Sequence, residues 1–179
     1  TKVRTYHPDL IGGSGFGGGL AKVMWEMGYD GMVVCNWWEG EASAKPIGWD
    51  QLAEKNRFGS GFIVYGIHPF AGVFPELDVF AEEFERRSGT EFGPAPAQIM
   101  NNLYVLTQAL QQAGTVDDVE KFVDALETGT FDTLVGELHY GLEEYIGIPH
   151  VLIYPLPIWE IVGENEYELK KLYSAEEVE

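Results

Sequence analysis

The sequence is poor in cysteine and in positive charge. Its 179 residues include one cysteine, Cys35, and 11 Lys plus Arg against 29 Asp plus Glu, for a formal net charge of −18. A single cysteine excludes an internal disulfide framework and a cysteine-rich zinc site. The negative charge disfavours nucleic acid or an anionic membrane surface as a partner, because phosphates repel such a protein.

Long apolar runs and catalytic signatures are also missing. No stretch reaches the ~18–20 apolar residues of a membrane-spanning helix, and residues 1–8 are too polar for a signal peptide. The chain does not begin with Met, so missing targeting segments say nothing about location. The four histidines form no pair at metal-ligand spacing, and no Gly-x-Ser-x-Gly elbow exists. These absences favour a binding protein over an enzyme and predict no metal.

The composition is that of a folded protein. Apolar residues make up 45% of the chain and aromatic residues 13%, which is too much for a disordered segment. The length suits one ordinary domain or two small lobes with a real core.

The start of the chain predicts a βαβ unit. Leu10-Ile11 indicates a strand of about four residues, the unbroken run Met32–Cys35 indicates a strand buried on both faces, and Phe62–Tyr65 indicates a third strand. Between the first two strands, apolar residues at helical spacing predict a buried helix face of Leu20, Val23, Met24 and Met27. The order of these segments predicts an α/β fold with parallel strands.

The later part predicts helices followed by strands. Pro75 is expected to open one helix, Pro94 and Pro96 to precede a longer one, and Thr115 to cap a third. The predicted inner faces are Leu77, Phe80, Ala81 and Phe84; Ile99, Leu103, Leu106 and Leu110; and Val116, Val119, Val123 and Leu126. Strands are predicted at 134–140, 151–154 and 158–162, and residues 167–179 are expected to be acidic and peripheral.

A glycine-rich segment follows the first predicted strand. Gly13-x-Gly15-x-x-Gly18 has the spacing of a dinucleotide fingerprint, which would predict an NAD-binding oxidoreductase domain. The second strand, however, ends in Asn36-Trp37 instead of an acid placed for a ribose. Two other interpretations stay open: a tight turn that needs positive φ angles, and a loop that offers Phe16 to a small molecule.

The second strand is followed by Trp37-Trp38-Glu39. One interpretation is structural, with one indole packed on the core and the other on a neighbouring surface. The other is a binding wall, in which an indole covers an apolar ligand and Glu39 accepts hydrogen bonds from a cationic group. Because carboxyl ends of neighbouring parallel strands meet at one edge of a sheet, Phe16 and Trp38 would line the same crevice.

Several segments resemble, in the same order, periplasmic binding proteins of the Leu/Ile/Val-binding family. These are the solute receptors of ABC importers for branched-chain amino acids, amides and aromatic acids. The similar segments are His7-Pro8-Asp9-Leu10-Ile11, Met27-Gly28-Tyr29, residues 74–87, residues 102–114, Phe131-Asp132-Thr133-Leu134-Val135-Gly136 and residues 158–162. The fifth, similar to an "F-x-T-x-x-G" strand, is the most specific of them.

The resemblance implies a type I periplasmic-binding-protein fold of two doubly wound parallel-sheet lobes that close on a solute. This chain matches only the later half of the family pattern, so the fold is expected to be partly represented. Residues 1–65 would be the βαβ part of the second lobe, 70–145 a helix-rich part of the first lobe, and 150–179 strands returning to the second.

The resemblance also implies a function. It is that of an extracytoplasmic component, periplasmic or anchored at the cell surface, that hands a small solute to a membrane permease without catalysis or cofactor. By position, Phe16 would supply an aromatic contact and Glu39 would face the amino group of an amino acid. The expected ligand-binding residues are Ser14, Gly15, Phe16, Trp37, Trp38, Glu39 and Tyr65.

The departures from the family pattern shape the remaining expectations. The tryptophan pair and the glycine cluster favour a bulky or aromatic solute, within a class of branched-chain or aromatic amino acids and related carboxylates or amides. A ligand-sensing receptor domain of the same fold stays open as an alternative, beside the NAD-binding domain. Half of such a fold would expose apolar surface, which favours a homodimer or pairing with a missing N-terminal half.

Overall fold

The computed structural model describes residues 5–13, 18–36, 38, 40–53, 62–65, 72–148 and 150–178. The chain divides into two compact units. Unit 1 comprises Thr1–Gly66 and Pro157–Leu172, and unit 2 comprises Ile67–Leu156 and Tyr173–Glu179. The second segment of unit 1 begins at Pro157, and the strand Val151–Ile153, just before it, pairs with residues 139–141 inside unit 2. The assignment of the units to lobes stays a prediction.

Unit 1 is built on a five-stranded sheet of order β1-β2-β3-β7-β8. Its strands are β1 Leu10–Gly13, β2 Met32–Cys35, β3 Phe62–Tyr65, β7 Leu156–Gly163 and β8 Glu166–Tyr173. β1, β2 and β3 are mutually parallel, whereas β7 runs antiparallel to β3. The parallel arrangement of the first three strands confirms the α/β prediction. β8 corrects the expectation of a peripheral tail, since residues 166–173 pair with β7 as a strand at the edge of the sheet.

The described part of unit 1 also contains helices. They are α1 Gly18–Glu26, α2 Glu41–Ala44 and α3 Trp49–Leu52. The buried residues of α1 are Ala21 and Met24, whereas Leu20 and Val23 are exposed, so the predicted inner face was wrong for these two. Ala21 has the smaller side chain and lets the helix backbone approach the core closely, a contact that a rule based on large apolar residues does not detect.

Unit 2 combines helices with an antiparallel three-stranded sheet of order β4-β5-β6. Its helices are α4 Pro75–Ser88, α5 Pro94–Ala113, α6 Val119–Thr128, α7 Glu143–Ile146 and α8 Ala175–Val178, and its strands are β4 Thr130–Thr133, β5 Gly136–Gly141 and β6 Val151–Ile153. The predicted inner face of α4 lies in the core, with Leu77 and Ala81 buried and Phe80 and Phe84 packed around Phe92. None of the helices in the described ranges is long and apolar enough to cross a membrane.

The buried face of the long helix α5 is opposite to the face predicted to be buried. The helix begins at Pro94, so both prolines lie in its first turn, where the lack of an N–H carries no penalty. Its buried residues are Ala97, Asn101, Val105 and Ala109, whereas Ile99, Leu103, Leu106 and Leu110 are between 36% and 59% exposed. Two of the four inner residues are alanines, and small side chains allow α5 to pack closely on α6 and β4.

Helix α6 starts three residues later than the predicted cap. Asp118 is the N-cap, and its Oδ1 accepts from the backbone N–H of Lys121 at 3.2 Å. Thr115 instead accepts from the N–H groups of Asp117 and Asp118, which forms a turn ahead of the helix. The predicted inner face was wrong for Val116, Val119 and Val123, which are exposed.

The strand predicted at 134–140 is interrupted at its start. β4 ends at Thr133 and β5 begins at Gly136, whose φ of +100° is accessible to glycine at little cost. The Thr133 hydroxyl donates to the carbonyl of Gly136 at 2.7 Å and stabilises the reversal. The segment therefore forms a hairpin, and β4 and β5 pair antiparallel.

Gly129, between α6 and β4, has no room for a side chain. An added Cβ would lie 2.4 Å from the carbonyl oxygen of Ala125 and 2.8 Å from Cζ of the buried Phe131. We expect Gly129→Ala to lower the free energy of unfolding by about 1–3 kcal/mol, because one of these groups must move. Gly19→Ala is the control, since its Cβ would meet nothing within 4 Å. Equal midpoints for the two variants in urea denaturation would contradict the prediction.

Candidate functional site

Three parallel strands of unit 1 end at the same edge of the sheet. Gly13, the last residue of β1, lies opposite Cys35, the last residue of β2, and Cys35 lies opposite Val64 near the end of β3. In open α/β sheets, small molecules bind beyond the carboxyl ends of such strands. The register therefore makes this edge the candidate site of unit 1.

The predicted ligand residues follow these strand ends in the sequence. Ser14, Gly15, Phe16, Trp37 and Glu39 lie outside the described residues, so their contacts with a ligand stay predictions. Tyr65 is the last residue of β3, and its backbone pairs with Ile158 of β7. The structure thus brings together the strand ends that precede the predicted residues.

Trp38 is a buried member of an aromatic cluster that it forms with Trp49 and Tyr167. The Trp38 side chain is 1% exposed, and its Nε1 donates to the hydroxyl of Tyr167 at 3.0 Å. Trp49 meets both other rings edge to face, with centroid distances of 6.1 Å to Trp38 and 6.3 Å to Tyr167. Edge-to-face geometry is a preferred arrangement for aromatic pairs, and the hydrogen bond satisfies the buried indole N–H.

The strand register places Tyr167 away from the candidate edge. Because β7 is antiparallel to β3, with Tyr65 opposite Ile158 and Ile63 opposite Glu160, the turn at 164–165 lies toward the amino end of β3. Tyr167 is the second residue after that turn. Trp38 therefore packs as the structural interpretation predicted for one of the two tryptophans. A contact between Trp38 and a ligand stays a prediction, and it would require the indole to leave this packing.

Trp49 and its partner Glu41 were not singled out from the sequence. The indole Nε1 of Trp49 donates to Oε2 of Glu41 at 2.8 Å, which ties α3 to the start of α2. The usable signal was the spacing of three tryptophans within residues 37–49. Trp49 and Tyr167 are both half-buried, so these two members of the aromatic cluster have surface left for other contacts, whereas Trp38 has none.

An ion pair between a buried glutamate and an exposed lysine joins β7 and β8. Glu160 on β7 is 2% exposed, and one of its carboxylate oxygens lies 2.7 Å from Nζ of Lys170 on β8. Lys170 also contacts Glu168 at 3.0 Å. The hydrogen bond to Glu160 is the main cause that raises the pKa of Lys170, followed by the one to Glu168. These charges stabilise the β7–β8 pair and are not residues of the candidate edge.

Potential metal ligands and one thiol occur among the described residues. In the part of the chain that the structure describes, no three His, Cys, Asp or Glu side chains are grouped to hold a metal ion. Cys35 is buried at the end of β2 and packs as a small apolar residue. The described part of the edge consists of the ends of three parallel strands, where open α/β sheets bind small molecules.

The fold is that of type I periplasmic binding proteins, represented in part. The chain resembles a leucine-, isoleucine-, valine-, threonine- and alanine-binding protein from Brucella ovis, with a TM-score of 0.74 and 14% identity over 98% of this chain and 46% of that one. A periplasmic binding protein from Burkholderia mallei gives a TM-score of 0.73 and 12% identity over 99% and 46%. A solute-binding protein of an ABC transporter from Rhodopseudomonas palustris, in complex with benzoate, gives 0.66 and 14% over 96% and 44%.

The similarity is one of structure and not of sequence. No protein-family model matches the chain, and no curated protein sequence matches it. The chain spans slightly less than half the length of these solved structures. They are solute-binding proteins and not enzymes, and at such low identity the likeness establishes the fold.

Proposed function

We propose that this chain is part of an extracytoplasmic solute-binding protein of an ABC importer. Its solute is a branched-chain or aromatic amino acid or a related small carboxylate or amide, and its protein partner is the importer's membrane permease. Two of the structures that share the fold support this class, because one is a leucine-, isoleucine-, valine-, threonine- and alanine-binding protein and the other is in complex with benzoate. No catalytic step is part of the proposal.

The observation that carries the proposal is the register of the parallel strands. It places the ends of β1 and β2 side by side, at Gly13 and Cys35. The next residues along the chain include Phe16 after β1 and Glu39 after β2, an aromatic ring and a carboxylate. An aromatic ring and an acid on neighbouring loops suit a solute with an apolar body and an ammonium group.

The proposed role of Glu39, binding of an ammonium group, can be tested separately from binding of the rest of the solute. If its carboxylate accepts from the ammonium group of an amino acid, then its charge matters for amino acids and not for benzoate, which has no ammonium group. A charge-assisted hydrogen bond is worth about 1.5–3 kcal/mol, which corresponds to a tenfold or greater change in Kd.

The test is a calorimetric titration of the chain with leucine, phenylalanine, benzoate and NAD. We expect saturable binding of an amino acid or of benzoate, and we expect Glu39→Gln to weaken amino-acid binding at least tenfold while leaving benzoate unchanged. Glu41→Gln is the matched control, because it makes the same charge change two residues away and its amide oxygen can still accept from Trp49.

Three results would contradict the proposal. Equal losses of amino-acid affinity in Glu39→Gln and Glu41→Gln would show that Glu39 has no specific role in binding. Binding of NAD alone would favour the glycine fingerprint of an oxidoreductase domain. Absence of binding to all four compounds would show that the edge of unit 1 does not hold these solutes in this chain.

A further inference from the structure

Helix α5 carries three amide side chains that lie along the outer edge of β4. We call Asn101, Gln108 and Gln112 the amide row. β4 stands at one end of the sheet order β4-β5-β6, so among the described residues no strand pairs with its outer side. The N–H and C=O groups on such an outer side can pair with a strand of another chain. The partners of those groups within this chain therefore decide whether the edge is open.

Gln108 bonds both backbone groups of one outward-facing residue of β4. Its Nε2 donates to the carbonyl of Asp132 at 2.7 Å, and its Oε1 accepts from the N–H of Asp132 at 3.0 Å. A residue of an antiparallel neighbouring strand makes the same pair of hydrogen bonds. Because the side-chain amide of glutamine offers a donor and an acceptor, as a peptide group does, Gln108 takes the place of such a residue.

The contact repeats one helical turn further along α5. Nε2 of Gln112 donates to the carbonyl of Thr130 at 3.2 Å. From Gln108 to Gln112 the helix advances by about 6 Å, and from Asp132 to Thr130 the strand covers about 6.6 Å in the opposite direction. The two spacings match, so α5 runs antiparallel to β4 and can bond every second residue of the strand.

Both ends of the amide row are held in place. At one end, Asn101 is fully buried, and its Oδ1 accepts from the N–H of Leu134 at 3.0 Å. At the other end, Oε1 of Gln112 lies only 2.6 Å from the position that a Cβ on Gly129 would occupy, so this glycine leaves room for the amide. The row thus spans the outer side of β4 from the residue after the strand to the residue before it.

We propose that the amide row occupies the strand-addition site of β4, so that α5 blocks pairing of this edge with a strand of a second copy. The sequence of β4, Thr130–Thr133, is typical of a strand, with two threonines and a phenylalanine. Asp132 is its only charge, and it contains neither the lysine nor the proline that protects many edge strands. The amide row gives the protection that such residues would give.

The block is internal to unit 2. The amide row and β4 both lie within the described residues 94–133, so the edge is covered by the chain itself and the proposal needs no further segment or solute. Loss of one glutamine of the row should therefore open part of the edge in an otherwise folded chain.

The test compares Gln108→Met with Gln111→Met in the full chain. Methionine is unbranched like glutamine and has a similar helix propensity, but it has no amide. Gln111 is exposed on the same helix and is not part of the amide row, so it is the matched control. We expect Gln108→Met to form β-rich assemblies about tenfold faster than Gln111→Met, because two hydrogen bonds to Asp132 are lost. Light scattering and thioflavin T fluorescence measure the rate.

Hydrogen exchange locates the effect within β4. In Gln108→Met, the N–H of Asp132 should exchange about tenfold faster than in the native chain, because it loses its acceptor. Alternate residues of an edge strand face opposite sides, so the N–H of Phe131 faces β5 and should change much less. Equal acceleration at the two positions would show a loss of stability in unit 2 and would overturn the proposal.

Far-UV circular dichroism checks that each variant is folded. Gln112→Met is the second variant, because the Gln112 side chain is exposed and its loss is the less disruptive of the two. It should also assemble faster than Gln111→Met, by a smaller factor, since only one hydrogen bond is lost. Equal rates of assembly for a folded variant of the row and for Gln111→Met would overturn the proposal.

Discussion

Replacing Trp38 with alanine is expected to lower the free energy of unfolding of unit 1 by about 3–5 kcal/mol. The indole is 1% exposed, contacts Trp49 edge to face and donates its N–H to Tyr167. Alanine would leave a cavity of the size of the indole and remove the partner of the Tyr167 hydroxyl. Whole domains are stable by about 5–15 kcal/mol, so this loss is a large share of the total. Urea denaturation followed by far-UV circular dichroism measures it.

The control for this prediction is Tyr167→Phe. It keeps the ring but leaves the buried Trp38 N–H without its acceptor, so we expect a loss of about 1–3 kcal/mol, smaller than that of Trp38→Ala. Similar losses for the two variants would mean that the Trp38 indole is not packed inside unit 1. That outcome would favour its alternative role as a wall of the ligand site.

The second large effect is expected at Asn101 in unit 2. Asn101 is fully buried on α5, and its Oδ1 accepts from the backbone N–H of Leu134 at 3.0 Å. This bond fixes the turn between β4 and β5 to the long helix. Asn101→Ala would leave a buried N–H without its acceptor and open a small cavity, for a combined cost of about 2–4 kcal/mol. Thermal and urea denaturation of the variant provide the measurement.

Asn102 offers a matched control at the next position. Its Oδ1 also accepts one hydrogen bond, from the Tyr154 hydroxyl at 2.9 Å, but the Asn102 side chain is exposed. We expect Asn102→Ala to lower the free energy of unfolding by less than about 1 kcal/mol, because water replaces the lost partner. Burial is thus the main difference between the two sites. Equal effects would contradict the account of Asn101.

Strands were the elements most readily predicted from the sequence. β2 and β3 occupy the runs Met32–Cys35 and Phe62–Tyr65 that the apolar pattern indicated. Strands in the interior of a parallel sheet are covered on both faces, so their residues stand out from the flanking glycines and polar residues. The turn at Leu134–Val135 was missed because both residues are apolar, and only the positive φ of Gly136 interrupts the run.

Helix faces were predicted less well, for a physical reason. On α5 the pattern of large apolar residues pointed to Leu103 and Leu106, but the packed side carries Ala97 and Ala109. Close helix packing favours small side chains on the buried side of a helix, and large apolar residues can lie on its exposed side. Hydrophobic spacing thus identifies an apolar stripe without saying what covers it.

The candidate site, too, could be predicted only in part from the sequence. Strand ends follow from local patterns, so the edge formed by Gly13, Cys35 and Tyr65 could be anticipated. The aromatic partners of Trp38 could not be, because Tyr167 lies 129 positions later and reaches Trp38 only through the order of the strands. Contacts at such separation depend on topology and not on neighbouring residues.

The division of unit 1 into two chain segments has a consequence during synthesis. Ile63 of β3 pairs with Glu160 of β7, 97 positions later (160 minus 63). Unit 2 lies mostly between these strands, so nearly all of it leaves the ribosome before β7 exists. Domains generally fold as units while the chain emerges. Unit 1 is therefore started first but completed only after most of unit 2 has been synthesised. Until β7 is synthesised, the edge of β3 that pairs with β7 lacks its final neighbour.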